Sequence, residues 1–147
     1  MPRSQVKTVV DSDYNPETAP ARKEACFLGR TSPYARAAIF PWGTKRQVGP
    51  DGEKVVSARA IKHVDELAAL ARGELKNDDG TLLGAAILFA VVRDDCLSFR
   101  PNDEACPSFA RHLRAARDAG VRIVARRISW TCDGCAFDDG AIPVDLS

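Results

Sequence analysis

The stretch "LLGAAILFAVVR", Leu82 to Arg93, is the strongest constraint on what this chain can become. It is continuous in apolar residues, yet it is far short of the roughly 20 needed to cross a bilayer. Such a run suits a strand in the middle of a sheet covered on both faces. A helical pattern lies on each side of it. The first is "RAIKHVDELAALAR", with Ser57 placed as an N-cap and Gly73 as the stop after Arg72. The second begins near Pro107, a residue suited to the first helical position, and ends at Gly120. It sets Phe109, Ala110, Leu113 and Ala116 on one stripe. Helix, buried strand and helix in that order require an α/β layer structure.

The remaining segments fill in around this frame. "SQVKTVVDS" reads as a first strand, rich in Val and Thr, and Asp11 to Arg22 as a loop. "EACFLGR" is a candidate short strand, and "TSPYARAAIFPWG" holds an apolar segment closed by Pro41 and Gly43. "KRQVGPDGEK" is a polar surface excursion. "DDCLSFRPNDEAC" reads as an irregular connection, "VRIVARRISW" as a strand, and "TCDGCAF" as a hairpin turn in which Asp133-Gly134 supplies the positive φ.

With 147 residues the chain is long enough for one domain with a real core. A net charge of +1 removes any overall basic character, so nucleic-acid binding must come from a local patch. "MPRSQVKTVV" lacks the hydrophobic segment of a secretory signal, and strand-like sequence begins within a few residues of Met1. Five cysteines, an odd count, fit reduced thiols in an intracellular, soluble protein with no membrane partner.

Cys132-x-x-Cys135 has metal-ligand spacing, but a structural zinc needs four ligands and only one such pair is present. The Asp133-Gly134 turn explains the spacing without metal. His112, between Arg111 and Arg114, reads as part of a solvated basic face. The acidic residues Asp94, Asp95, Asp103 and Glu104 could suit a hard cation, but they fit turn and helix-start capping better. No phosphate-cradling GxxxxGK[ST] or GxGxxG loop occurs.

"RAIKHVDEL" is the remaining candidate. Wound as a helix, Arg59, Lys62, His63 and Glu66 share one face, with Ala60, Ile61, Val64 and Leu67 on the other. His63 falls at the edge of the apolar stripe. Arg59 and Lys62 beside it give phosphate-binding chemistry a short reach.

These segments, taken in order, resemble the SfsA (sugar fermentation stimulation protein A) family. "RAIKHVDELAALARG" is similar to its R-G-x-K-H-L-x-E-L helix, and "AAILFAVVRDD" to its L-L-F-V-V-Q-R strand. "FRPNDEACPSFARHLRAARDAGVRIVARRISW" follows the family's F-x-P-A-D segment and its A-G-V-x-V-x-A strand. "SQVKTVV" resembles its E-V-K-S-V strand and "AAIFPWG" its A-x-F-P-D-A segment, with a longer connection between them here.

The resemblance implies an α/β fold: a partial PD-(D/E)xK nuclease-like domain, a mixed sheet flanked by two main helices. It implies DNA as partner, with RNA as a second nucleic acid, and Arg59, Lys62 and His63 on phosphate. Lys7 takes the catalytic lysine position. The family's acidic residue two positions earlier is Gln5 here, a poor ligand for the Mg²⁺ or Mn²⁺ that an active member would use. Cys106 stands at a helix-cap position where the family carries Asp.

Residues 1–147 are then expected to be an SfsA-type C-terminal domain, without the OB-like domain and the start of the nuclease-like domain. The expected protein is DNA-binding and catalytically impaired. Two alternatives stand beside it. One is a metal-dependent nuclease whose missing ligand comes from an upstream segment, another chain, Asp11 or Asp13. The other is an assembly module whose open sheet edge is completed by a second copy or a partner chain.

Overall fold

The computed structural model describes residues 3–15, 34–76, 79–81 and 84–147. The elements are β1 (Arg3–Val9), β2 (Arg36–Phe40), β3 (Gln47–Val48), β4 (Lys54–Val55), α1 (Ala58–Ala71), β5 (Ala85–Val91), β6 (Cys96–Pro101), α2 (Pro107–Asp118), β7 (Arg122–Trp130) and β8 (Ala136–Ile142). The candidate strand "EACFLGR", with Cys26, and the run's start at Leu82 lie outside the described residues.

The main sheet has the order β1-β5-β7-β8. β1 and β7 run parallel to β5 on either side, and β8 returns antiparallel to β7. The sheet is therefore mixed, as expected, with the apolar run at its centre. The burial of β5 differs from the expectation. Ala85, Ile87, Phe89 and Val91 are buried, whereas Ala86, Leu88 and Ala90 are only half-buried. One face carries the core and the other is partly open, so an unbroken apolar run here marks a central strand without full cover on both sides.

Ser57 caps α1 as expected, its hydroxyl accepting from the Ala60 N–H at 3.2 Å. Arg72 ends the helix, and Gly73 follows with φ +74°. Ala60, Ile61, Val64, Leu67, Ala68 and Leu70 are buried, the stripe that 3.6-residue periodicity sets on one side. α2 buries Phe109, Ala110, Leu113 and Ala116 completely. Its N-cap, Cys106, makes no side-chain capping bond.

The segment expected to be irregular, "DDCLSFRPNDEAC", contains strand β6, which pairs in parallel with β2 as a second, two-stranded sheet. Phe99 of β6 stacks on Phe89 with ring centroids 4.0 Å apart, while Phe109 of α2 and Phe40 of β2 meet edge-on at 5.2 Å. This aromatic cluster ties both sheets to α2. β3 and β4 form a small exposed hairpin within the polar excursion.

One further expectation is corrected. His112 is not part of a solvated face. Its side chain is only 16% exposed, and its ring nitrogens lie 2.5 Å from Asp65 on α1 and 3.2 Å from Asp51 on the β3–β4 turn. Hydrogen bonds from His112 and then Arg111 hold the Asp51 carboxyl below the usual range. The residues Asp94, Asp95, Asp103 and Glu104 do not converge on a common centre. Asp95 pairs with Arg93 and Arg36, and Asp103 pairs with Arg114 across the start of α2. No helix among the described residues is long and apolar enough to cross a membrane.

Candidate nucleic-acid interface

The period-2 alternation of β1 sends Gln5, Lys7 and Val9 toward α1 and leaves Ser4, Val6 and Thr8 on the opposite face. Lys7 lies level with Phe89 in the β1–β5 register, and Gln5 with Ile87. The parallel register thus carries Lys7 under the exposed side of α1. There its Nζ meets His63 Nδ1 at 2.8 Å.

An ammonium can only donate, so His63 Nδ1 is the acceptor. The remaining proton of the neutral ring sits on Nε2, which becomes a free donor direction. Burial, and then repulsion from Lys7 and Arg59, holds the His63 pKa below its usual 6.5. Burial and the Arg59 charge likewise hold Lys7 below 10.5. Three basic groups from two elements thus stand together, with Arg59 opposing the charge of both Lys7 and His63.

The structure therefore brings together Lys7, Arg59 and His63. Lys62 points elsewhere. Its side chain is 75% exposed and reaches Glu66 at 4.0 Å, an i,i+4 pair worth a few tenths of a kcal/mol. It lines a shallow apolar groove with Val48, Pro50 and Ala69 on the outer side of α1.

Beside the basic cluster is a cleft of about 330 Å³, walled by Arg3, Ser4, Gln5, His63, Glu66 and three leucines. Sequence reasoning missed Arg3 as a site residue and placed Glu66 only on the polar helix face. Both had a signal: Arg3 shares Gln5's face two residues earlier on β1, and Glu66 follows His63 by three on α1.

The donors around this cleft do not fit Mg²⁺ or Mn²⁺. Hard divalent ions take oxygen ligands, and carboxylates above all. Among the described residues the cleft offers one carboxylate, Glu66, with the Gln5 amide, beside Arg3, Lys7 and the His63 imidazole. Among the described residues, no three His, Cys, Asp or Glu side chains gather closely enough to hold a metal. Asp13 does not complete the set. Its carboxylate accepts from the Ala37 N–H at 2.8 Å, the Tyr34 hydroxyl at 3.3 Å and Arg100 at 3.3 Å, in a separate cleft. The main chain of Asp11 is used in the same place, its carbonyl accepting from Ile39.

A mixed sheet backed by two helices, with a strand lysine set against a basic helix face, defines an α/β domain of the SfsA fold. Superposition agrees: the structure of Pyrococcus furiosus SfsA in complex with Ca²⁺ matches 97% of this chain and 44% of that one, with a TM-score of 0.63 at 22% identity. The family model for the sugar fermentation stimulation protein RE domain matches residues 50–134, and the chain belongs to the SfsA family. The sugar fermentation stimulation protein homolog of Jannaschia sp. (strain CCS1) is 36% identical over 92 residues, 63% of this chain and 34% of that protein. The homolog of Carboxydothermus hydrogenoformans is 36% identical over 80 residues, 54% of this chain and 31% of that protein. The match thus spans about a third of the length of each of these two relatives.

Proposed function

We propose that this chain binds nucleic acid, DNA first and RNA second, through phosphate contacts at Lys7, Arg59 and His63, with Lys62 at the rim. One observation carries this reading: the 2.8 Å Lys7–His63 contact, crowded by Arg59, in which burial and then neighbouring positive charge lower both partners' pKa. A phosphate placed there relieves the repulsion and accepts from the His63 Nε2–H, the Lys7 ammonium and the Arg59 fork together. On this reading residues 1–147 form one SfsA-type C-terminal domain.

As a nuclease the site is impaired. Catalysis by a divalent ion would use it to lower the pKa of a bound water and to neutralise charge building on phosphate. The neutral Gln5 leaves Glu66 as the one carboxylate of the cleft. Cleavage with Mg²⁺ or Mn²⁺ would need a second carboxylate from outside the described residues. The Ca²⁺ of the Pyrococcus furiosus structure is the reason to test this: incubation of DNA with Mn²⁺ should leave it intact. Cleavage lost in Lys7→Ala would restore the enzyme reading.

Binding is tested by fluorescence anisotropy with a labelled oligonucleotide across a salt series. Three phosphate contacts predict a log–log salt slope of roughly −3, and Lys7→Ala or Arg59→Ala should reduce it by about 1 each. Affinity that does not change with salt, or that survives both substitutions unchanged, would overturn the proposal.

A further inference from the structure

The turn joining β7 to β8 carries chemistry that the cleft does not use. The Thr131 N–H donates to the Cys135 carbonyl at 2.8 Å, and the Gly134 N–H to the Thr131 carbonyl at 3.0 Å. The Cys135 N–H donates to the Thr131 hydroxyl at 3.1 Å, and Gly134 takes the positive φ of +86° that the turn requires. Backbone and threonine hydroxyl hold the loop, so its shape asks nothing of the two thiols. Cys132 and Cys135 are free and exposed, whereas Cys96 and Cys106 are buried. The Cys135 thiol makes a weak polar contact, its Sγ lying 3.7 Å from the Asp133 carboxylate.

Two thiols at this spacing on a fixed turn form a two-ligand unit for a thiophilic cation. Zinc in a structural site takes four ligands in a tetrahedron. Among the described residues, no three His, Cys, Asp or Glu side chains that could hold a metal gather at the pair. His63 is engaged by Lys7, and His112 by Asp65 and Asp51. One chain therefore offers half a site. All of residues 131–139 are exposed, so a second hairpin can approach the tip without displacing anything. Trp130 and Phe137, 54% and 49% exposed, lie on opposite faces of this hairpin, since Phe137 pairs with Ser129 and Trp130 with Ala136, so an apolar side chain stands beside the tip on either face.

We propose that Cys132 and Cys135 form half of a Cys₄ zinc site, completed by the same two residues of a second copy of this chain. The four thiols bind as thiolates. Each gives its proton to solvent, four protons per zinc ion, and no electron is transferred. This stands apart from the phosphate reading, which involves the opposite side of the sheet.

The test is a ZnCl₂ titration of the reduced full chain, kept in a phosphine reductant, with light scattering and metal analysis of the eluted protein. The expected result is half an equivalent of zinc per chain, a doubling of mass on adding zinc, and return to monomer with EDTA. Cys132→Ser and Cys135→Ser should each abolish both effects while leaving nucleic-acid affinity unchanged. Cobalt(II) should give a thiolate charge-transfer band in the wild type alone. One zinc per monomer, no zinc retained, or a dimer that persists in EDTA or in either serine variant would overturn the proposal.

Discussion

The residue that concentrates the argument is His63. Its proton balance makes the phosphate reading testable by pH. Its pKa lies below 6.5 in the free protein because burial, Lys7 and Arg59 oppose the imidazolium. A bound phosphate reverses that balance and raises it, so binding takes up a proton. Affinity should therefore rise as pH falls from about 8 toward 6, and His63→Gln should flatten the profile while retaining part of the binding. The stability sign is the opposite. A lowered histidine means that the unfolded chain binds more protons below 6.5, so the group costs stability as pH falls through that value. Lys7 acts likewise below 10.5, where the unfolded chain again holds the extra proton. Thermal melts of the free protein should thus weaken on acidification while nucleic-acid binding strengthens. Parallel pH trends would contradict the assignment. The sequence alone placed Arg59 and His63 on one helix face, because 3.6-residue periodicity is local. It did not show that Lys7 touches His63, since the two lie 56 residues apart and meet only through the parallel pairing of β1 with β5. Lys62, equally well placed by periodicity, turned instead to Glu66.

At the scale of elements, both helices could be read because their stop and start signals are local. Ser57 and Gly73 bracket α1, and Pro107 and Gly120 bracket α2. Ser57→Ala should cost about 1 kcal/mol, a fall in Tm of roughly 3 °C, by urea or thermal denaturation. Nucleic-acid affinity should hold, because burial of the apolar face rather than the cap keeps α1 in place. β6 could not be read. "CLSFRP" is short, ends in proline and exposes Leu97, so its alternation is broken on the surface side. What makes it a strand is non-local: parallel pairing with β2 and the stacking of Phe99 on Phe89. Phe99→Ala should accordingly destabilise the protein by about 3–5 kcal/mol, the range for removing a fully buried ring. A loss under 1 kcal/mol in a urea titration would mean that the second sheet contributes little to the core.

Across the whole molecule, the sheet order puts two possible association surfaces at opposite ends. Among the described residues, β1 is one edge, paired with β5 alone, and β8 is the other, next to the thiol-bearing turn. An edge strand presents unpaired backbone groups that can template a further strand. On β1 this edge comes with Val6, 59% exposed, while Val10 beyond its end is 56% exposed. The assembly alternative therefore predicts self-association through β1 that EDTA does not reverse, whereas the zinc site predicts association through the β7–β8 tip that EDTA does reverse. Val6→Lys separates them. A charge on an exposed edge position opposes strand addition and, buried against nothing, should change stability by less than about 0.5 kcal/mol. Light scattering in EDTA over a concentration series reads the outcome. If wild type associates under those conditions and Val6→Lys is monomeric, β1 is an assembly edge. If both are monomeric in EDTA and both dimerise with zinc, association belongs to the hairpin tip, and the basic cleft beside β1 stays open to nucleic acid in the dimer.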